Sequence, residues 1–393
     1  MTKKVAIYDP YLDTLGGGER YCLTVAEILL KNNFEVDLYW SGDKSLISKA
    51  EKRFSLNLKD LNIIPDIFTV QPANIDLSKD NQQRPDINRN YSSEQGIIDK
   101  AKKLFERLSK NRQYQIIFYL GDGSVPMLFG KKNFLHVQVP FALDQKPLSN
   151  FNYYLKSKFL TNIICNSQFT AKFQPSQFKN KTLVLYPPVD VEKFYPDKHK
   201  ENIILSVGRF DNVLNAKKQD LLIEAFRELN LRHSSFNWKL ILAGGSLTDP
   251  KDNAYLKFLQ NKSFGLPIEF AVNPPFEVLK KIYAKSKIYW HAAGFDVDEK
   301  KHPENTEHFG MAIVEAMASG AVPIVVAKGG IPEIVENGVN GYLWKTTDDL
   351  IIKTEQLIDD YDTFNRMSQQ SLINCRQFSK DNFEKTLLEI IQK

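Results

Sequence analysis

The chemistry is concentrated around two carboxylates. Glu307 and Glu315 stand eight positions apart, on either side of His308-Phe309-Gly310-Met311. The stretch 312–319 is rich in helix formers, and Ile313, Ala316 and Met317 fall at helical spacing, which predicts a helix. Gly320 stands where its C-terminal cap belongs. Gly310 and Met311 then lie at the helix N-terminus, where backbone N–H groups and the helix dipole favour an anion. Glu307 comes just before this helix and Glu315 lies within it. Carboxylates accept hydrogen bonds from hydroxyls, and amide-rich turns hold phosphate. Together they suit a molecule that carries both, such as a nucleotide sugar. A glycine turn before a helix is also ordinary packing in an α/β protein. Here turn, carboxylates and strand form one continuous block.

The elements around the block follow a repeated pattern. Val322-Pro323-Ile324-Val325-Val326 reads as a buried strand. It runs into a second glycine turn, Lys328-Gly329-Gly330, and a short helix from Pro332. The chain opens likewise: a strand at 5–8, the turn Gly16-Gly17-Gly18-Glu19-Arg20, then a helix. The G-x-G-x-x-G dinucleotide spacing is absent there. Further strands are predicted at 34–40, 115–120, 132–140 and 163–167, with Ser167 as an N-cap. The polar stretch 71–95 reads as a long loop and 100–112 as a helix with a basic face. Prolines 187, 188 and 196 punctuate the middle of the chain. The pattern then restarts with a strand at 203–207, Gly208-Arg209, Lys217-Lys218 and a helix from Asp220. Strands follow at 238–245, 268–273 and 288–295. Alternating strands and helices predict a doubly wound α/β protein with parallel sheets. The expected division is a first domain over 1–196, a second over 197–376, and a final helix within 377–393 returning to the first.

Composition sets outer bounds. A chain of 393 residues fits two domains, and 25% charged with 42% hydrophobic residues is a globular profile. The net charge of +5 is too small to argue for nucleic acid, and none is expected as a partner. It suits nucleotide phosphates or an anionic membrane surface. Cys22, Cys165 and Cys375 are scattered and odd in number, which points to a reducing compartment rather than a disulfide frame or a metal site. No signal peptide and no transmembrane stretch is expected. The expected location is therefore the cytoplasm, at the membrane face if the acceptor is a lipid.

Glu307 to Glu315 matches the E-x7-E signature of retaining glycosyltransferases of family 4, and AMASGAVPIVVAKGGIPEIVENGVNGYL resembles that family's donor-binding block. Other stretches are similar too: Gly16-Gly17-Gly18-Glu19-Arg20, the H-x-x-x-P run from His136, and Gly208-Arg209 with Lys217 ahead of LLIEAF. W-H-A-x-G-F with E-H-F-G-M looks closest to a mannosyltransferase-like branch. The resemblance implies the GT-B fold, two Rossmann-like domains facing across a cleft. It implies a donor site made of Gly16, Gly17, Gly18, Gly208, Arg209, Lys217, Val272, Asn273, Glu307, His308, Phe309, Gly310, Met311 and Glu315. Val272 and Asn273 would meet the base through backbone, Glu315 the ribose and Glu307 the transferred sugar. Counting back from Asp220 selects Lys217 over Lys218 as the phosphate lysine. Glu307, His136, Arg209 and Lys217 would be the catalytic set. Arg209 and Lys217 would balance the departing diphosphate, with no metal and no cofactor. The implied reaction moves a sugar, mannose from GDP-mannose first, to a saccharide or lipid-linked acceptor with retention. A UDP-sugar donor or a non-catalytic nucleotide-sugar-binding protein are the alternatives. The resemblance also implies a peripheral membrane contact for the basic helix.

Overall fold

The structure is a computed structural model. It describes residues 3–68, 94–121, 125–140, 154–211, 216–233, 237–246 and 248–392, without the side chains of 94–101 and 103. Most of the expected loop 71–95 lies outside these residues, as do the side chains of Lys100 and Lys103.

The chain divides into two compact units. The first comprises Met1–Gln138, Leu143–Asn166 and Gln174–Leu185; the second comprises Val139–Ala142, Ser167–Phe173 and Tyr186–Lys393. Residues 186–196, placed in the first domain by the proline punctuation, are part of the second unit. The reason is packing. Tyr186 meets the rings of Phe309 and Phe378, the Val189 N–H donates to the Phe378 carbonyl at 2.9 Å, and Val191 and Phe194 are buried in that unit's core. The last helix, Lys380–Gln392, is counted with the second unit as well.

The first unit is built on seven parallel strands: β1 (Lys3–Tyr8), β2 (Phe34–Tyr39), β3 (Asn62–Ile64), β4 (Ile116–Leu120), β5 (Lys132–Val137), β6 (Asn162–Cys165) and β7 (Thr182–Val184). Their order is β3-β2-β1-β4-β5-β6-β7. Helix α1 (Gly17–Lys31) follows β1, α2 (Ser45–Phe54) follows β2, and α3 (Glu94–Asn111) precedes β4. Strands covered on both faces must be apolar throughout, and β4, Ile-Ile-Phe-Tyr-Leu, is buried at every position. On α3, Arg107 does not contribute to a free basic face: it donates to the carbonyls of Ile67 and Phe68.

The second unit repeats the plan with six strands. They are β8 (Glu201–Val207), β9 (Lys239–Gly244), β10 (Ile268–Val272), β11 (Ser286–His291), β12 (Val322–Val326) and β13 (Tyr342–Trp344). The order is β10-β9-β8-β11-β12-β13, all parallel. Pro323 sits second in β12, near a strand start, where the missing N–H is tolerated. The helices of this unit are α4 (Gln168–Lys172), α5 (Gln219–Arg232), α6 (Ala254–Lys262), α7 (Phe276–Lys285), α8 (Met311–Ala318), α9 (Thr347–Asp359), α10 (Tyr361–Asn374) and α11 (Lys380–Gln392). Ser167 caps α4, its hydroxyl accepting from the Thr170 N–H at 3.0 Å. In each sheet the chain reverses direction of travel across the sheet once, between β1 and β4 and between β8 and β11. Ligands of doubly wound proteins bind outside the carboxyl ends of strands at such a switch. Among the described residues, no helix is long and apolar enough to cross a membrane.

Candidate active site

The predicted residues fall at the carboxyl ends of strands in both units, and each unit is described by itself. In the second unit the switch point lies between β8 and β11. Gly208 and Arg209 follow β8, and His291 ends β11. A Cβ on Gly208 would lie 2.5 Å from Lys217 Cγ, so the lysine stem crosses the bare glycine backbone. Lys217 Nζ then reaches Glu307 Oε2 at 2.7 Å. Lys218 points the backbone elsewhere, with φ of 55° at the N-cap of α5.

Glu307 is held from three sides. Lys217 contacts Oε2, His291 Nε2 stands 3.0 Å from the same oxygen, and the Glu307 carbonyl accepts from the Gly330 N–H at 2.8 Å. Side-chain exposures of 17% for Lys217, 13% for Glu307 and 3% for His291 make this a nearly enclosed ionic cluster. Burial alone would raise the Glu307 pKa. The charge of Lys217 and the contact with His291 override it and hold the carboxyl well below its ordinary range. Burial lowers the His291 pKa as well, against the pull of Glu307, which favours the uncharged imidazole. Sequence reading quoted His291 only within a motif. The signal that could have found it is its place as the last residue of an apolar strand.

Gly310 opens α8 with φ of 108°, a conformation that favours glycine. A Cβ there would lie 2.8 Å from Ile313 Cδ1 and 3.5 Å from Glu307 Cγ. The N–H groups of Met311 and Ala312 have no acceptor within the helix by position. The helix ends as expected, with Gly320 at φ of 67° and the Ala321 N–H donating to the Ala316 carbonyl at 3.0 Å. Glu315 accepts from the buried Tyr283 hydroxyl at 3.1 Å. Phe309 is packed between Tyr186 and Phe378, so its side chain belongs to the core and only its backbone can meet a ligand. His308 is held by the Glu304 carbonyl at 3.2 Å, and burial lowers its pKa to about 4. Arg209 is half exposed and pairs with Asp211 at 3.2 Å.

The ledge next to Gly208 is continuous. Gly244 must be bare, since a Cβ would lie 1.9 Å from the Gly208 carbonyl oxygen. The Asn273 N–H donates to the Gly244 carbonyl at 2.8 Å, and Asn273 Oδ1 accepts from the Ser246 N–H at 2.9 Å. Val272 and Asn273 therefore border Gly208 through Gly244.

In the first unit, Gly16, Gly17 and Gly18 form the turn into α1. A Cβ on Gly18 would collide with the Gln138 amide, 2.7 Å from Oε1. His136 lies behind it on β5, fully buried and stacked on Tyr21 at 3.8 Å between ring centres. Its Nδ1 is 2.9 Å from the Ile164 carbonyl oxygen and must carry the proton. Nε2 then accepts from Gln138 Nε2 at 3.1 Å. Both ring nitrogens are engaged, and burial lowers the pKa to about 3. The catalytic role expected of His136 needs a ring nitrogen for substrate, and neither is available in this arrangement. What the imidazole does here is hold Gln138 against the Gly18 turn. Two further acids line this end of β1. Asp9 and Glu19 are both buried, and Glu19 accepts from the Thr14 hydroxyl at 2.7 Å and from the Gly16 N–H.

Residues 190–372 match the family model described as Glycosyl transferases group 1. A GDP-Man:Man(3)GlcNAc(2)-PP-Dol alpha-1,2-mannosyltransferase of Xenopus laevis is 29% identical over 244 residues, 58% of this chain and 47% of that protein. The chain thus spans about half the length of the mannosyltransferases it matches. An uncharacterized glycosyltransferase of Haemophilus influenzae is 23% identical over 394 residues, 96% of both chains. Among solved structures, Anabaena HepE in complex with UDP superposes with a TM-score of 0.66 at 16% identity, covering 100% of both chains. The fold is that of GT-B glycosyltransferases. The family match and the relatives support a glycosyltransferase.

Proposed function

We propose that this chain is a retaining glycosyltransferase of family 4 that moves a sugar, mannose from GDP-mannose in the first instance, onto a saccharide or lipid-linked acceptor. The observation that carries the reading is the Lys217–Glu307 pair at the switch point of the second unit, beside the open N-terminus of α8. A cation and a run of N–H groups suit the diphosphate. An ionised carboxylate beside them suits the sugar hydroxyls. Lys217 and Arg209 balance the charge that grows on the departing nucleoside diphosphate, the kind of stabilisation that usually contributes most to such a step. Glu315 binds the ribose, and Val272 and Asn273 meet the base through backbone. These cations take the place of a metal, and no cofactor takes part. The acceptor is reached from the cytoplasmic side, with peripheral membrane contact.

A UDP-sugar donor is the second reading, favoured by the UDP complex of HepE. The deciding experiment is a thermal-shift panel of GDP, GDP-mannose, UDP and UDP-glucose, followed by transfer with the stabilising donor and assignment of the product anomer. A ligand at 100 times its Kd stabilises by about 2.7 kcal/mol, a shift of several degrees at most in a chain of this size. No shift with any nucleotide would refute the donor site. A shift without transfer would leave a binding protein, and an inverted anomer would refute retention.

A further inference from the structure

Glu307 has two partners of opposite character. Lys217 reaches it on a long, flexible stem from a loop. His291 reaches it from the end of a central strand, 3% exposed and stacked on Tyr289 with an interplanar angle of 13°. The lysine has the longer and freer stem, and the imidazole is buried at the end of the strand that carries it. Both contacts fall on Oε2, and the described residues give Oε1 no hydrogen bond. The His291 contact is at hydrogen-bond distance, but its N–H is out of line, and Nε2 makes no other bond among the described residues. A nitrogen this close to a carboxylate oxygen carries the proton, because two lone pairs would repel. A small turn of the carboxylate would straighten the bond.

We propose that His291 is a positioning residue of the donor site: it takes over Oε2 of Glu307 when the donor diphosphate draws Lys217 away, leaving Oε1 directed at the sugar. The inference rests on the donor-site reading above. Its physical basis is the cost of an unpartnered buried carboxylate. In the structure the lysine charge neutralises Glu307. A diphosphate competes for that cation, and the carboxylate then needs a donor that stays behind. A neutral imidazole meets the need without itself attracting phosphate.

The test observes the His291 ring directly. In protein carrying ¹⁵N-histidine, the His291 Nε2–H resonance is assigned by its loss in His291→Gln. Adding GDP or UDP should move it downfield, and Lys217→Met should do so with no nucleotide present. A resonance unmoved in both cases overturns the proposal. If the wild type binds no nucleotide, the donor reading fails, while the Lys217→Met arm still judges His291. The kinetic arm uses the full chain. His291→Ala should lower kcat roughly ten- to a hundredfold, with the donor KM within about twofold, and His291→Gln should restore most of it. An unchanged kcat in His291→Ala, or equal loss of nucleotide binding in both variants, also overturns it.

Discussion

The two units share one plan and differ in their electrostatics. Each is a parallel sheet with one switch point, a glycine turn and a helix start at the carboxyl edge. In the second unit a loop delivers Lys217 to Glu307, and the carboxyl stays ionised despite burial. In the first unit Asp9 and Glu19 share the end of β1. Burial pushes both upward, and the charge of Glu19 pushes Asp9 further. Asp9 Oδ2 makes no hydrogen bond among the described residues. His136 is neutral there, with both nitrogens engaged. The fold supplies the place, and side chains from distant segments decide whether the place carries charge. The second unit is equipped for an ionic ligand. The first surrounds its glycine turn with acids whose pKa values burial raises.

The contrast can be broken most directly by activity. Lys217→Met and Glu315→Ala should each reduce transfer roughly a hundredfold or more, with Arg209→Ala in the same direction, read as initial rates on the stabilising donor. Near-normal turnover in all three would remove the ionic site from the reaction. Stability is the next largest effect. Lys217→Met removes the cation beside a mostly buried carboxylate, leaving it His291, and should cost about 3 kcal/mol in urea unfolding, much of it regained by Lys217→Met with Glu307→Gln. Additive losses would show that the pair is not coupled.

Asp9→Asn sharpens the other side. The Asp9 pKa is raised in the folded state, so the folded form binds its proton more tightly than the unfolded form, and stability falls as pH rises above about 3.9 toward the raised value. The variant lacks that loss. Relative to wild type it should gain stability between pH 4 and 7 and lie within about 1 kcal/mol of it at neutral pH, by urea midpoints at both values. A large loss at pH 7 would mean that the ionised form has a partner. Glu307 behaves in the reverse sense, since its lowered pKa gives stability above about 4.3 that disappears in acid. The smallest expected effect is chelation. Excess EDTA should leave the transfer rate unchanged, and a rate restored only by a divalent cation would replace the cationic side chains with a metal.

Much of the site could be read along the chain because its signals are local. The two glutamates flank a helix start, glycines mark the turns, and counting back from Asp220 picks the lysine that reaches Glu307. Buried parallel strands announce themselves as apolar runs, so the alternation of strands and helices was legible as well. Tertiary structure alone decided the pairings. Lys217 joins His291 and Glu307 because β8, which precedes the lysine, lies beside β11 at the switch point, and Tyr283 meets Glu315 because α7 lies near α8. His136 has its ring nitrogens engaged by the Ile164 carbonyl and the Gln138 amide. The chain enters its long final segment of the second unit at Tyr186, where Phe309 and Phe378 give that ring a place to pack. Sequence determines periodicity and turn chemistry, which act over a few residues. Charge state and hydrogen-bond partners depend on what folding brings within about 3 Å, and that distance has no trace in sequence spacing.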